Sequence, residues 1–129
     1  MAMAMAKVGL LMFAHGARDE RWAAPFEQVM AKVRTARPAL PVRLAFLEFM
    51  PPDIRIAAAA LVGEGCTHID VLPLFLGGGG HVRKDLPPLL DELRQSHGGV
   101  SFALHRAVGE APALIATMAD LALDLPAPR

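Results

Sequence analysis

Two imidazoles stand where parallel α/β proteins do their chemistry. His15 directly follows the apolar run Leu10, Leu11, Met12, Phe13 and Ala14, and His81 follows Val71, Leu72, Pro73, Leu74, Phe75 and Leu76 after Gly77, Gly78, Gly79 and Gly80. In open parallel sheets the ligand crevice lies beyond the carboxyl ends of the strands, so a ring at each position suggests one shared site. Neutral imidazole suits borderline divalent ions such as Co2+, Fe2+, Ni2+ and Zn2+, and histidine is largely neutral near pH 7 without help from a base. Metal binding is therefore the first chemistry to expect. A single histidine after a strand is as often a hydrogen-bonded loop residue, and it is the pairing of the two positions that carries weight. Glu48, at the end of another apolar run, could add an oxygen ligand or a general base, against the plainer reading of a solvated carboxylate.

The elements that must hold these residues alternate along the chain. Strand-like runs at residues 8–14, 42–47, 69–76 and 100–104 are separated by stretches with helical periodicity, the pattern of a parallel sheet covered by helices. Trp22, Phe26, Val29, Met30 and Val33 mark the first helix, closed by Pro38 and Pro41. Pro51, Pro52 and Asp53 open a second, which Gly63 and Gly65 stop. Asp85 reads as the N-cap of a third helix carrying Leu86, Leu89, Leu90 and Leu93. Residues 109–112 turn into a last helix presenting Leu114, Ile115, Met118, Leu121 and Ala122. Pro73 is an awkward strand member because it donates no ladder bond. If the strand order is the flavodoxin-like 2-1-3-4, strands one and three are neighbours and both histidines face one crevice.

Other residues qualify this picture. His68 lies at the amino end of the third strand, on the wrong side of the sheet, and His97 ends a helix; both are expected to be structural, as is His105 after the fourth strand. The run from Gly77 to Gly80 permits close backbone approach by a large flat ligand or an anion, but matches neither a Walker motif nor the dinucleotide fingerprint. Arg18, Arg83 and Lys84 lie within three residues of the two histidines and could hold carboxylates at the rim.

With 129 residues, the chain has the size of a single domain, expected over 1–129 with residues 1–6 and 125–129 as frayed ends. Its 13 basic and 13 acidic side chains cancel without blocks of like charge, which argues against nucleic acid and anionic membranes as partners. The lone Cys66 precludes an intramolecular disulfide, fits a reducing cytoplasm, and reads as a small buried apolar residue. The apolar start imitates a secretory leader, but it is short, has only Lys7 before it, and serves better as a first strand.

Several of these segments together resemble a known family. His15-Gly16-Ala17-Arg18-Asp19, Ala45-Phe46-Leu47-Glu48, residues 73–87 and Gly109-Glu110-Ala111-Pro112 are similar to the CbiX/SirB-type sirohydrochlorin chelatases of the class II chelatase group. The resemblance covers nearly the whole chain and implies an α/β three-layer sandwich with a four-stranded parallel sheet. It also implies a lyase that inserts Co2+ or Fe2+ into sirohydrochlorin without ATP, toward cobalamin or siroheme, with the metal as substrate and no permanently bound cofactor. His15 and His81 match the family's metal-binding and catalytic histidines, and Glu48 matches a less constant acidic position. Gly16, Arg18, the glycines at 77–80, Arg83 and Lys84 would then meet the macrocycle. Family members with two such domains build one cleft between them, so a single unit is expected to work as a homodimer. Four consecutive glycines depart from the family's usual loop, which carries a bulkier residue.

Two other classes compete. A histidine phosphatase also places a His-Gly after its first strand, but there an arginine precedes the histidine, and here Ala14 does. A carrier of metal or tetrapyrrole on a flavodoxin-like fold would use the same residues without turnover.

Overall fold

Runs of β-branched, aliphatic and aromatic residues pair as four parallel strands: β1 (Val8–Ala14), β2 (Val42–Phe46), β3 (His68–Pro73) and β4 (Ser101–Leu104), in the order β2-β1-β3-β4. The computed structural model describes residues 6–77 and 80–126, and for residues 80–83 the backbone alone. The helices between the strands are α1 (Ala24–Ala36), α2 (Ile54–Gly63) and α3 (Gly80–Ser96), and α4 (Pro112–Asp124) follows the last strand. The first connection steps leftward to β2 while the next two step rightward, so right-handed crossovers put α1 on one face and α2 with α3 on the other. Period-2 alternation feeds both layers. Leu11, Phe13, Ile69, Val71 and Phe102 pack against Ile54, Ala57, Leu61, Leu86, Leu90 and Leu93. Met12, Val42, Leu44 and Phe46 turn the other way, toward Phe26, Met30 and Val33.

Local chemistry explains most boundaries. The Asp53 carboxylate accepts from the Ile56 amide and caps α2, as the sequence suggests. A short 3-10 turn, Glu20–Ala23, precedes α1, with the Asp19 side chain accepting from the Arg21 amide. Pro73 is tolerated because Leu74 donates to Phe13 at 2.7 Å, which turns position 73 toward β4, whose ladder with β3 ends at Val71 opposite Leu104. Gly9 is a packing glycine: a Cβ there would lie 2.8 Å from the Cys66 sulfur. Burial pushes the Cys66 thiol pKa up, which suits an inert core residue.

Two expectations are corrected. Strand β3 stops at Pro73 instead of running to residue 76. Asp85 is not an N-cap: α3 already begins at Gly80 and carries Pro87 and Pro88 inside it. A Pro-Pro pair reads in sequence as a first helical turn, because there the missing N–H groups cost nothing; here the helix absorbs their loss mid-run. Helix α4 forms where the apolar stripe placed it, with none of its residues buried: Ile115, Met118, Leu121 and Leu123 are exposed, as is Leu125 just beyond its end. On the α1 side of the sheet, α1 packs over the β1–β2 half, leaving His68, Asp70, Leu72 and Ala103 only half-buried.

Candidate functional site

The loops at the carboxyl ends of β2, β1 and β3 lie side by side in that order, and the middle one carries His15. The exposed ring of His15 rests on the buried ring of Phe75, with centroids 4.1 Å apart and planes tilted by 40°. Phe75 in turn meets Phe13 edge-on at 6.0 Å, so the histidine stands on an aromatic floor tied to the core. Such a floor supports one face of an exposed ring at the carboxyl end of β1.

Beyond β1 and β2 the ladder continues through two further bonds, Leu47 N–H to the Ala14 carbonyl at 2.9 Å and Glu48 N–H to the His15 carbonyl at 3.0 Å. These place Glu48 directly beside His15, on the neighbouring loop, with an exposed side chain. Gly16 makes that approach possible. Its φ is +91°, and a Cβ there would run into the Glu48 carbonyl oxygen. Arg18, three residues past His15, lies with its guanidinium carbon 5.2 Å from the centre of the Phe49 ring. Asp19 is engaged in the fold, paired with Arg21 at 2.8 Å.

On the β3 side, Gly109 donates its N–H to the Phe75 carbonyl at 3.0 Å, and a Cβ at Gly109 would strike the Leu76 backbone. The loop after β4 thus buttresses the loop after β3. An added Cβ at Gly77 would meet nothing within 4 Å, so the chain itself does not demand glycine there. Gly78 and Gly79 lie outside the described residues. His81 is the second residue of α3, on the chain that leaves the β3 end of the sheet edge; its side chain and that of Arg83 lie outside the description. Lys84 is exposed one turn into the same helix. Among the described residues no group of three or more His, Cys, Asp or Glu is placed to hold a metal ion.

The remaining histidines are used elsewhere. On the α1 side of the sheet, Nε2 of His68 and Nε2 of His105 lie 3.0 and 2.8 Å from the same oxygen of Asp70, and His68 Nδ1 is 2.7 Å from the Ser101 hydroxyl. The hydrogen bond from His105, with a smaller one from His68, holds the Asp70 carboxyl below the usual carboxylate range against the opposing effect of burial. His97 ends α3 beside Phe102. Sequence reasoning missed Phe49 and Leu76, two exposed apolar side chains on the loops flanking His15. The signal was there in part: Phe49 is a large apolar residue between Glu48 and a Pro-Pro turn, outside any strand or helix pattern.

Comparison with known proteins places this arrangement. A sirohydrochlorin cobaltochelatase from Methanosarcina acetivorans is 31% identical over 84 residues, covering 65% of each chain. A sirohydrochlorin ferrochelatase from Bacillus subtilis is 29% identical over 108 residues, which cover 80% of this chain and 40% of that one. The match therefore spans less than two thirds of the length of either relative. The crystal structure of a cobalamin biosynthesis CbiX protein from Marinobacter aquaeolei superposes with a TM-score of 0.81 at 28% identity, covering 91% of this chain and 95% of that one. The CbiX family model matches residues 9–125, from β1 through the end of α4, and on that match the chain belongs to the CbiX family.

Proposed function

We propose that this chain is a sirohydrochlorin chelatase, inserting Co2+ or Fe2+ into the tetrapyrrole without ATP, in cobalamin or siroheme biosynthesis. The observation that carries the reading is His15, exposed at the carboxyl end of β1, braced on Phe75, with Glu48 on the adjoining loop. The family match and the names of both relatives support the same chemistry. Metallation must strip water from the ion and remove two pyrrole protons, so groups that both hold a divalent metal and accept protons near neutral pH lower the barrier. In this reading His15 and His81 do so from one face of the macrocycle, and Glu48 assists as ligand or base. Gly16 and the glycines at 77–80 keep the floor low enough for the flat ring, and Arg18, Arg83 and Lys84 meet its carboxylates. The metal is the substrate, and Ni2+ would compete for the same imidazoles.

The working unit we propose is a homodimer in the cytoplasm. Helix α4 supports it: 13 residues long, with no buried residue, it presents Ile115, Met118 and Leu121 toward solvent. Exposed apolar residues grouped along one helix mark a surface suited to a partner. A second copy would also bring the assembly toward the length of the Bacillus relative, of which this chain spans 40%. No helix among the described residues is long and apolar enough to cross a membrane.

The test is an anaerobic assay of the purified chain with sirohydrochlorin and Co2+, Fe2+ or Ni2+, followed by absorbance. Multiple turnovers without nucleotide support the reading. A single stoichiometric spectral shift with no turnover would make the protein a carrier instead.

A further inference from the structure

Among the described residues, Phe49 is the one other than glycine that holds a positive φ. Its φ is +70°, and the Met50 amide donates to the Glu48 carbonyl across it at 2.9 Å, which makes Phe49 the centre of a three-residue γ-turn. That turn with a positive central φ is rare and strained, and glycine or asparagine would occupy it at less cost than a bulky aromatic. The strain brings little burial in return, since Phe49 is 57% exposed. The guanidinium of Arg18, a residue of the next loop, lies over its ring. A strained, exposed aromatic beside a candidate site points to a ligand.

The strand order decides where that ligand lies. Phe49 follows β2, His15 follows β1 and Leu76 follows β3, so His15 stands between two exposed apolar side chains, the loops on either side being roughly 10 Å apart at ordinary strand spacing. Resting on the tetrapyrrole reading above, we propose that Phe49 is a substrate-binding residue: its ring stacks on the flat conjugated face of the macrocycle while Arg18, held over Phe49, pairs with a peripheral carboxylate. An aromatic face attracts a conjugated ring in offset or edge-on geometry, and a guanidinium can stack on the one while hydrogen-bonding an anion in its own plane. Leu76 closes the opposite rim without adding a charge.

The test is titration of metal-free sirohydrochlorin into wild type and into Phe49→Leu, Phe49→Trp and Phe49→Asn, with KM and kcat for Co2+ insertion and a melting curve for each. We expect Phe49→Leu and Phe49→Asn to weaken binding about three- to tenfold and to raise KM more than they lower kcat, with Phe49→Trp near wild type. Phe49→Asn should also melt higher than wild type, because asparagine tolerates the turn. Equal affinity in wild type, Phe49→Leu and Phe49→Asn overturns the inference alone. Loss of binding in all three variants together with lower melting temperatures also overturns it, showing Phe49 to be structural. Failure of the wild type to bind or metallate sirohydrochlorin overturns the tetrapyrrole reading, and this inference with it.

Discussion

Replacing Gly16 by alanine tests whether the β1 and β2 loops are held together as described. At a φ of +91° any side chain costs roughly 1–2 kcal/mol. The new Cβ would also push away the Glu48 carbonyl and with it the bond from the Glu48 amide to His15, a net loss of about 1 kcal/mol. The sum, about 2–3 kcal/mol, lowers the melting temperature of a domain of 129 residues by about 10 °C. Circular dichroism melts of Gly16→Ala and Gly63→Ala make the comparison internal, because a Cβ at Gly63, the last residue of α2, meets nothing within 4 Å. Gly63→Ala should melt with the wild type or slightly above it. Below its melting point Gly16→Ala should still lose metal insertion, since the displaced groups are His15 and Glu48. If Gly16→Ala melts with the wild type, the close approach of the two loops is wrong.

Other expectations follow from single contacts. Because the folded-state pKa of Asp70 is depressed, the unfolded chain takes up the proton first, so its contribution is present above about pH 4 and is lost as pH falls through the lower folded value. Asp70→Asn should therefore flatten the acid limb of a stability–pH curve, and an unchanged limb below pH ~4 contradicts that. Gly9→Ala should destabilise by crowding the Cys66 sulfur, and Cys66→Ala should relieve it; strict additivity in the double variant would show that the two do not touch. Leu121→Asp on α4 should convert a dimer to a monomer in sedimentation analysis without unfolding it, whereas an unchanged mass removes α4 from the interface.

The sequence reading succeeded where one physical rule dominates. The continuous apolar run at residues 8–14 and the capping chemistry at Asp53 each leave a single outcome, whereas the strand order entered only as a condition, which the pairing β2-β1-β3-β4 meets. It failed at residues 80–88, where Asp85 ahead of an apolar helical stripe imitates a helix start, while α3 already begins at Gly80. It identified α4 from its apolar stripe, yet periodicity reports that a face is apolar and not which surface covers it. His15 and Glu48 were readable as neighbours because both end strands. Phe49 was not, since the strain at its φ arises from loop closure between distant segments and has no periodic signature. The set-aside histidines at 68 and 105 are indeed engaged, but their shared partner Asp70 depends on strand register, which a single sequence does not encode.

The central claim is that His15 and His81 together carry metal insertion. Initial rates of Co2+ insertion into sirohydrochlorin for His15→Ala and His81→Ala, on samples with wild-type melting behaviour, test it most directly. The account predicts at least a hundredfold loss in each variant, on the order of what a positioned acid–base group supplies. Wild-type rates in both would contradict it.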